Sequence, residues 1–257
     1  MSTAIKFLSS VARHQRHRGL FNTPDTLKSI CEKIIIPNME FRESDEETFE
    51  DTPMEYIRKD LEGSDFDTRR RASSDFVKIL CDQFETEVTS IFSAYVNVLL
   101  EQYKANPKSA WKAKDTAIFL VIALAVKAKV QSVRDFFLSP TFENRIIEKF
   151  FFFFFFRCCC DDQQGATAVN SLVNIGDFFQ AHILPSLQSD PNAEVPLLKA
   201  DAIKFLYTFR SQIPKQFHLG VLPLLTNHLK AKDVVVRTYA AVCIERVLSI
   251  RVEKQLM

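Results

Sequence analysis

The chain has 257 residues, 47% of them hydrophobic, with 24 Phe against 5 Gly and a formal net charge of +1 at neutral pH. Such a composition can bury a substantial core and is poor in turn formers, which favours an all-α fold, while the near-zero charge excludes a global attraction to nucleic acid or membrane. Six Cys are too scattered for a disulfide frame and nowhere do about 18 uncharged apolar residues run together, so the chain reads as intracellular, reduced and without a membrane span.

In chain order, Thr3 to Arg13 places Ala4, Phe7, Leu8 and Val11 on one helical face. This suits the second helix of a pair, so the chain reads as starting mid-repeat. After a basic loop through His14, Arg16, His17 and Arg18, a helix is expected over Pro24 to Met39, with Thr23 as cap and Pro at the first helical position. Cys31, Cys81 and Cys243 fall on apolar faces, where Cys acts as a small hydrophobe.

An acidic insertion then interrupts the pattern over about residues 40–67. From Glu40 to Glu55 the carboxylates are Glu40, Glu43, Asp45, Glu46, Glu47, Glu50, Asp51 and Glu55, against Arg42 alone. Two readings stand side by side: a solvated, partly disordered loop, or contact with basic surface on a partner or on the chain's own distant repeats. On the second reading Glu43, Asp45, Glu46, Glu47, Glu50 and Asp51 are candidate partner-binding residues. Pro53 to Leu61 is expected to form a short helix that Gly63 ends.

Asp65 and Asp67 suit the N-terminus of the following helix, which Arg69, Arg70 and Arg71 begin and Ala72, Phe76, Ile79 and Leu80 continue. These two carboxylates and three arginines join the candidate partner-binding set. For the arginines the preferred reading is a ladder of ion pairs along stacked helices. Arg70-Arg71-Ala72-Ser73 also fits a basophilic kinase site, which its place in the first turn of a packed helix disfavours. Val88 to Tyr103 and Trp111 to Lys129 form the next hairpin around Asn106 and Pro107, with Trp111 plugging the corner.

Residues 132–164 follow no such rule. Phe150 to Phe156 is an unbroken Phe run, followed by Arg157 and Cys158 to Cys160. Three consecutive Cys cannot converge on one tetrahedral ion and no partner CxxC exists, so no metal or cofactor is expected. Phe and Cys codons are rich in pyrimidines, and the run has the character of a tract preceding a 3′ splice site; it reads as translated intron, which splice-site dinucleotides flanking those codons in the genome would settle. The helical pattern resumes over Ala166 to His182 and continues through Ile183 to Gln188. A turn at Asp190, Pro191 and Asn192 leads to a helix over Leu197 to Arg210.

The last hairpin carries Phe217, Val221, Leu225 and Leu229 on its first helix and Val236, Ala240, Cys243 and Val247 on its second. Lys230 to Lys232 form the turn, Asp233 caps the second helix, and Pro223 sits inside the first. The arrangement resembles a HEAT repeat. Its apolar-apolar-Pro element Val221, Leu222, Pro223 recurs as Ile183, Leu184, Pro185 and as Ile35, Ile36, Pro37, and Pro185 to Pro223 is close to the HEAT period of about 40 residues. Second helices echo one another in WKAKDTAIFL (Trp111 to Leu120) and LKADAIKFL (Leu198 to Leu206). One hairpin cannot bury its own apolar faces, so the chain is expected to be a HEAT-repeat α-solenoid of antiparallel helix pairs: repeats over 1–131, the aberrant segment 132–164, two repeats over 165–250, and a tail over 251–257 that lacks capping logic.

SICEKIIIPNMEFR (Ser29 to Arg42), YIRKDLEGSDFDTRRRA (Tyr56 to Ala72), HILPSLQ (His182 to Gln188) and VPLLKADAIKF (Val195 to Phe205) closely resemble the central repeats of the importin-α re-exporters in the importin-β superfamily. The resemblance spans nearly the whole chain outside 132–164 and the last residues. It implies a superhelical export receptor that shuttles between nucleus and cytoplasm, binds importin-α together with Ran-GTP, releases both after GTP hydrolysis and touches nuclear pore proteins. In that family the N-terminal repeats, outside the phrases matched here, grip much of Ran. The alternative is a general HEAT scaffold such as a phosphatase regulatory subunit, which shares the periodicity but not the DLEGSDFDTRRRA wording. An enzyme is disfavoured: His14, His17, His182, His218 and His228 have no nucleophile or carboxylate set at catalytic spacing, and His182 and His228 read as packing or surface residues.

Overall fold

Helices in this chain start where a short polar side chain can accept a hydrogen bond from the backbone N–H groups that the first turn leaves unpaired. Thr23 accepts from the Thr26 N–H at 3.3 Å, Thr68 from Arg71 at 3.1 Å, Asn174 from Asp177 at 3.1 Å and Asp233 from Val236 at 3.0 Å. The structure, a computed structural model, describes residues 2–62, 68–127, 166, 168–193 and 195–249. Asp65, Asp67, Gly63 and the whole of the Phe- and Cys-rich segment 132–164 lie outside the described residues, and so does the reading of that segment as translated intron.

Helix α1 is Ser2–Arg13. The rod called α2 joins Pro24–Ile30, a π-turn Cys31–Ile35 and Ile36–Met39. Within the acidic insertion, α3 is Glu43–Asp51, and α4 is Pro53–Ile57 extended by a π-turn Arg58–Glu62. Then come α5 (Arg69–Ala105) and α6 (Trp111–Ala125). The rod α7 joins Ile175–Phe178, the π-turn Phe179–Ile183 and Leu184–Gln188, and is followed by α8 (Pro196–Phe209), α9 (Lys215–His228) and α10 (Val234–Leu248).

These elements stack as an all-α solenoid. The second helices form one continuous row, with α1 against α5, α5 against α6, α6 against α8 and α8 against α10. Phe76, Phe92, Phe179, Phe205 and Phe209 are fully enclosed in it, each worth about 1.5–3 kcal/mol of burial. Two of the three apolar-apolar-Pro elements share one backbone solution. Ahead of Pro37 and Pro185 the helix widens by a π-turn, so that the Ile36 N–H donates to the Cys31 carbonyl and the Leu184 N–H to that of Phe179. A ring that would clash with the carbonyl four residues back is thereby accommodated without breaking the rod. Pro223 lies inside α9, which carries no such turn.

Four expectations are corrected. On α1 the buried face is Ile5, Ser9 and Ala12, while Phe7 is 67% exposed, because α5 packs one residue further round than the apolar stripe implied. The two expected helices Arg69 onward and Val88 to Tyr103 are joined end to end as α5, broken only at Phe84, whose φ of −136° and ψ of 47° are not helical. The Gln83 carbonyl freed beside that break accepts from Arg18 Nη2 at 3.1 Å, and the Arg18 guanidinium stacks over Phe84, which gives the basic loop a structural task. Residues 168–173 are extended or turn rather than helical: Val169 bridges Val126, and buried Asn170 donates to Thr89 Oγ1 at 2.9 Å. Finally, the acidic insertion is not a disordered loop over Glu43–Asp51 but a packed helix.

Candidate partner-binding surface

A run of carboxylates becomes helical here because three of them, Glu43, Asp45 and Glu46, fall in the first turn of α3, where the helix dipole and unpaired N–H groups favour negative charge. Asp45 Oδ2 accepts the Arg42 backbone N–H at 3.0 Å. Phe49 supplies the apolar anchor: it is buried and meets Tyr56 of α4 edge-on at 5.0 Å between centroids. At the entry, buried Phe41 meets Trp111 at 5.7 Å, so Trp111 faces the strap. The insertion is thus a strap of two short helices laid against the stack.

Charges divide between the two sides of this strap. Asp45 turns inward to Arg69 at 2.8 Å and Glu46 to Lys112 at 2.6 Å, whereas Glu43, Glu47, Glu50 and Asp51 are exposed. At the far end Asp60 accepts from Lys204 of α8 at 2.5 Å and from the Tyr239 hydroxyl of α10. Residues 144 and 179 positions later in sequence therefore hold the strap down.

The three arginines take three different places. Arg69 joins the strap to the stack through Asp45 and the Pro37 and Glu40 carbonyls. Arg70 is enclosed: its guanidinium donates to Asp115 Oδ2 at 2.7 Å and to the Met39 carbonyl at 2.8 Å, and lies 4.3 Å from the Phe119 ring centroid. Arg71 stays half-exposed, 4.0 Å from Asp75. Ser73, the residue of the kinase-like motif, is fully buried and donates to the Arg69 carbonyl, so no kinase reaches it in this fold.

Beneath the strap lies a row of buried ionisable groups. Burial pushes the carboxyls of Asp115 and Asp201 up, Asp201 the further because Asp115 faces it. Burial would raise Asp60 as well, but Lys204, Tyr239 and Arg70 together hold it below its usual value. On Arg70 burial opposes the charge, and Asp115 with its neighbours outweighs it and raises the pKa. Burial lifts the thiols of Cys31, Cys81 and Cys243 to about 12, which makes them inert hydrophobes. Among the described residues no group of His, Cys, Asp and Glu is arranged to hold a metal, and no helix is long and apolar enough to cross a membrane. His228 is fully buried with Nε2 3.0 Å from the Leu187 carbonyl, and His182 is half-buried.

Sequence reasoning named the arginine ladder but missed most of its partners, Asp60, Asp115, Asp201, Lys204 and Tyr239. A signal existed: Asp115 and Asp201 stand at the same place in two echoed second helices, each followed by a mainly apolar run, where a carboxylate is out of place unless something pairs it.

The family model Cse1 matches residues 1–142 and 158–244. The chain belongs to the Cse1 family. Exportin-2 of Homo sapiens is 48% identical over 98% of this chain, and exportin-2 of Xenopus laevis is 47% identical over the same share. The solved structure of the exportin Cse1 in its cargo-free, cytoplasmic state superposes with a TM-score of 0.79 at 38% identity, over 96% of this chain and 24% of that one. The chain spans 23% of the length of the two exportin-2 relatives. Residues 143–157, which hold the Phe run, fall between the two blocks matched by the Cse1 family model.

Proposed function

We propose that this Cse1-family chain is a central segment of a nuclear export receptor that carries importin-α out of the nucleus together with Ran-GTP, shuttling between nucleus and cytoplasm, and that it acts by binding rather than by catalysis. The exportin names of its relatives support the reading. Within it, the observation that carries a role for the candidate residues is the division of the strap. Asp45, Glu46, Arg69 and Arg70 are spent on internal pairs, whereas Glu43, Glu47, Glu50 and Asp51 face outward. An outward face of four carboxylates on a helix fixed from behind meets a basic partner surface without the cost of ordering a loop.

In the intact receptor, replacing Glu43, Glu47, Glu50 and Asp51 by Ser should slow association with the Ran-GTP and importin-α pair, and the deficit should shrink as salt screens charges beyond about 8 Å. Surface plasmon resonance at several salt concentrations measures this, with the urea midpoint as the check that folding is intact. Unchanged association rate and salt slope would leave the outer carboxylates as a solvated face.

A further inference from the structure

We propose that the cavity between the strap and the first turns of α5 binds a compact phosphate-type oxyanion. The cavity has a volume of about 310 Å³, at the small end of the range of about 300–1,000 Å³ for ligand pockets. Five cations line it: Lys59 from the strap, Arg70, Arg71 and Lys78 from α5, and Lys204 from α8. Arg70 and Lys204 are committed to Asp115 and Asp60. The other three are more exposed: Lys59 pairs with half-exposed Glu55, and Arg71 and Lys78 share the single carboxylate of Asp75, at 4.0 and 3.1 Å.

Asp75 therefore neutralises one of two charges, and the Arg71 contact is too long for a hydrogen bond. Asp45, a further carboxylate on the wall, is already engaged by Arg69 and the Arg42 N–H. The positive end of the first helical half of α5, which runs from Arg69 to the break at Phe84, opens onto the same space, since Thr68, Arg70, Arg71 and Ser74 of its start all line it. Lys59 and the Arg71–Lys78 pair approach from two different elements. A planar monocarboxylate meets donors in one plane, whereas a tetrahedral dianion accepts from a guanidinium fork, two ammonium groups and the Thr68 and Ser74 hydroxyls at once. Phe119 and Tyr56 form an aromatic wall beside that position, which suits a phosphate ester with an apolar body as well as free phosphate.

The test is calorimetric titration of the full chain with pyrophosphate and with phenyl phosphate at low ionic strength, acetate serving as the monocarboxylate comparator. Saturable one-site binding of at least one phosphate probe, weakened tenfold or more in R71E and in K78E and unchanged in K28E, supports the site. Tighter binding of phenyl phosphate than of pyrophosphate assigns it to an ester. Circular dichroism checks the helix, and the neutral pair R71Q and K78Q gives the same reading should charge reversal disturb it. No saturable heat with either phosphate probe, affinity for acetate equal to that for phosphate, or equal binding by wild type and the R71Q/K78Q double variant would overturn the proposal.

Discussion

The last hairpin, α9 with α10, and the pair formed by α2 with the first half of α5 are built on the same plan and held in opposite ways. In the first, a turn of a few residues joins the helices, Asp233 caps α10 by accepting from the Val236 N–H three residues on, and Val236, Ala240, Cys243 and Val247 are all buried as their spacing dictates. In the second, the short turn is replaced by the strap, and what fixes it are Glu46 to Lys112, Asp60 to Lys204 and Asp60 to Tyr239, contacts between groups 66 to 179 residues apart. The difference is one of energy as well as distance. Local caps are worth about 1 kcal/mol and survive partial exposure, whereas a buried ion pair is finely balanced and becomes costly when only one partner is removed.

The comparison breaks most sharply at Arg70. Replacing it with Ala leaves Asp115, whose side chain is fully enclosed, without its cation. The expected loss is about 3–5 kcal/mol, read from urea denaturation; a loss near that of a surface substitution would show that water or a neighbour compensates.

A second test uses pH. Asp60 sits below its usual value of 3.8, so the stability it contributes is full above that value and lost as pH falls through the folded one. Asp201 is raised well above 3.8, so its contribution is full below 3.8 and lost as pH rises through the folded one. Denaturation midpoints across the pH range should therefore fall on both sides, with D60N flattening the acid arm and D201N the alkaline arm. An exchange of the two effects would reverse the assignment.

At the small end, Asp233→Ala should cost about 1 kcal/mol through the lost cap, with α9 and α10 fraying first in hydrogen exchange. A cost matching that of Arg70→Ala would mean that the last hairpin depends on its junction as strongly as the strap does.

Much of this architecture was legible in the order of residues, for particular reasons. Thr23 and Asp233 announce helix starts because the groups they satisfy lie three residues away, and the helix spacing of Val221, Leu225 and Val236 announces burial because period and face are properties of the chain itself; the cap of α5, Thr68, went unread beside Asp65 and Asp67. The phrases around Pro37, Pro185 and DLEGSDFDTRRRA carried the family. Phe7 was misread because an apolar stripe gives a face, while the neighbour's approach decides which edge of it is covered. The helix start at Ala166 was misread because the Ala166 N–H donates to the Thr208 carbonyl and the Asn170 N–H to that of Ala125, pairings with other elements that the spacing of apolar residues does not reveal.

The candidate site divides along the same line. That Glu43 to Asp51 is acidic, and that Arg69 to Arg71 would form ion pairs, followed from composition and helix geometry. Which carboxylates face inward did not, since Asp45 and Glu47 look alike until Arg69 stands beside one of them. Sequence by itself determined most of the helices, the caps at Thr23 and Asp233, the repeat and the family, which rest on interactions between near neighbours. Only the tertiary structure decided that Asp60 would meet Lys204 and Tyr239 and that Arg70 would be buried with Asp115, because a charge chooses its partner by distance in space, and burial, absent in the extended chain, is what makes that choice matter.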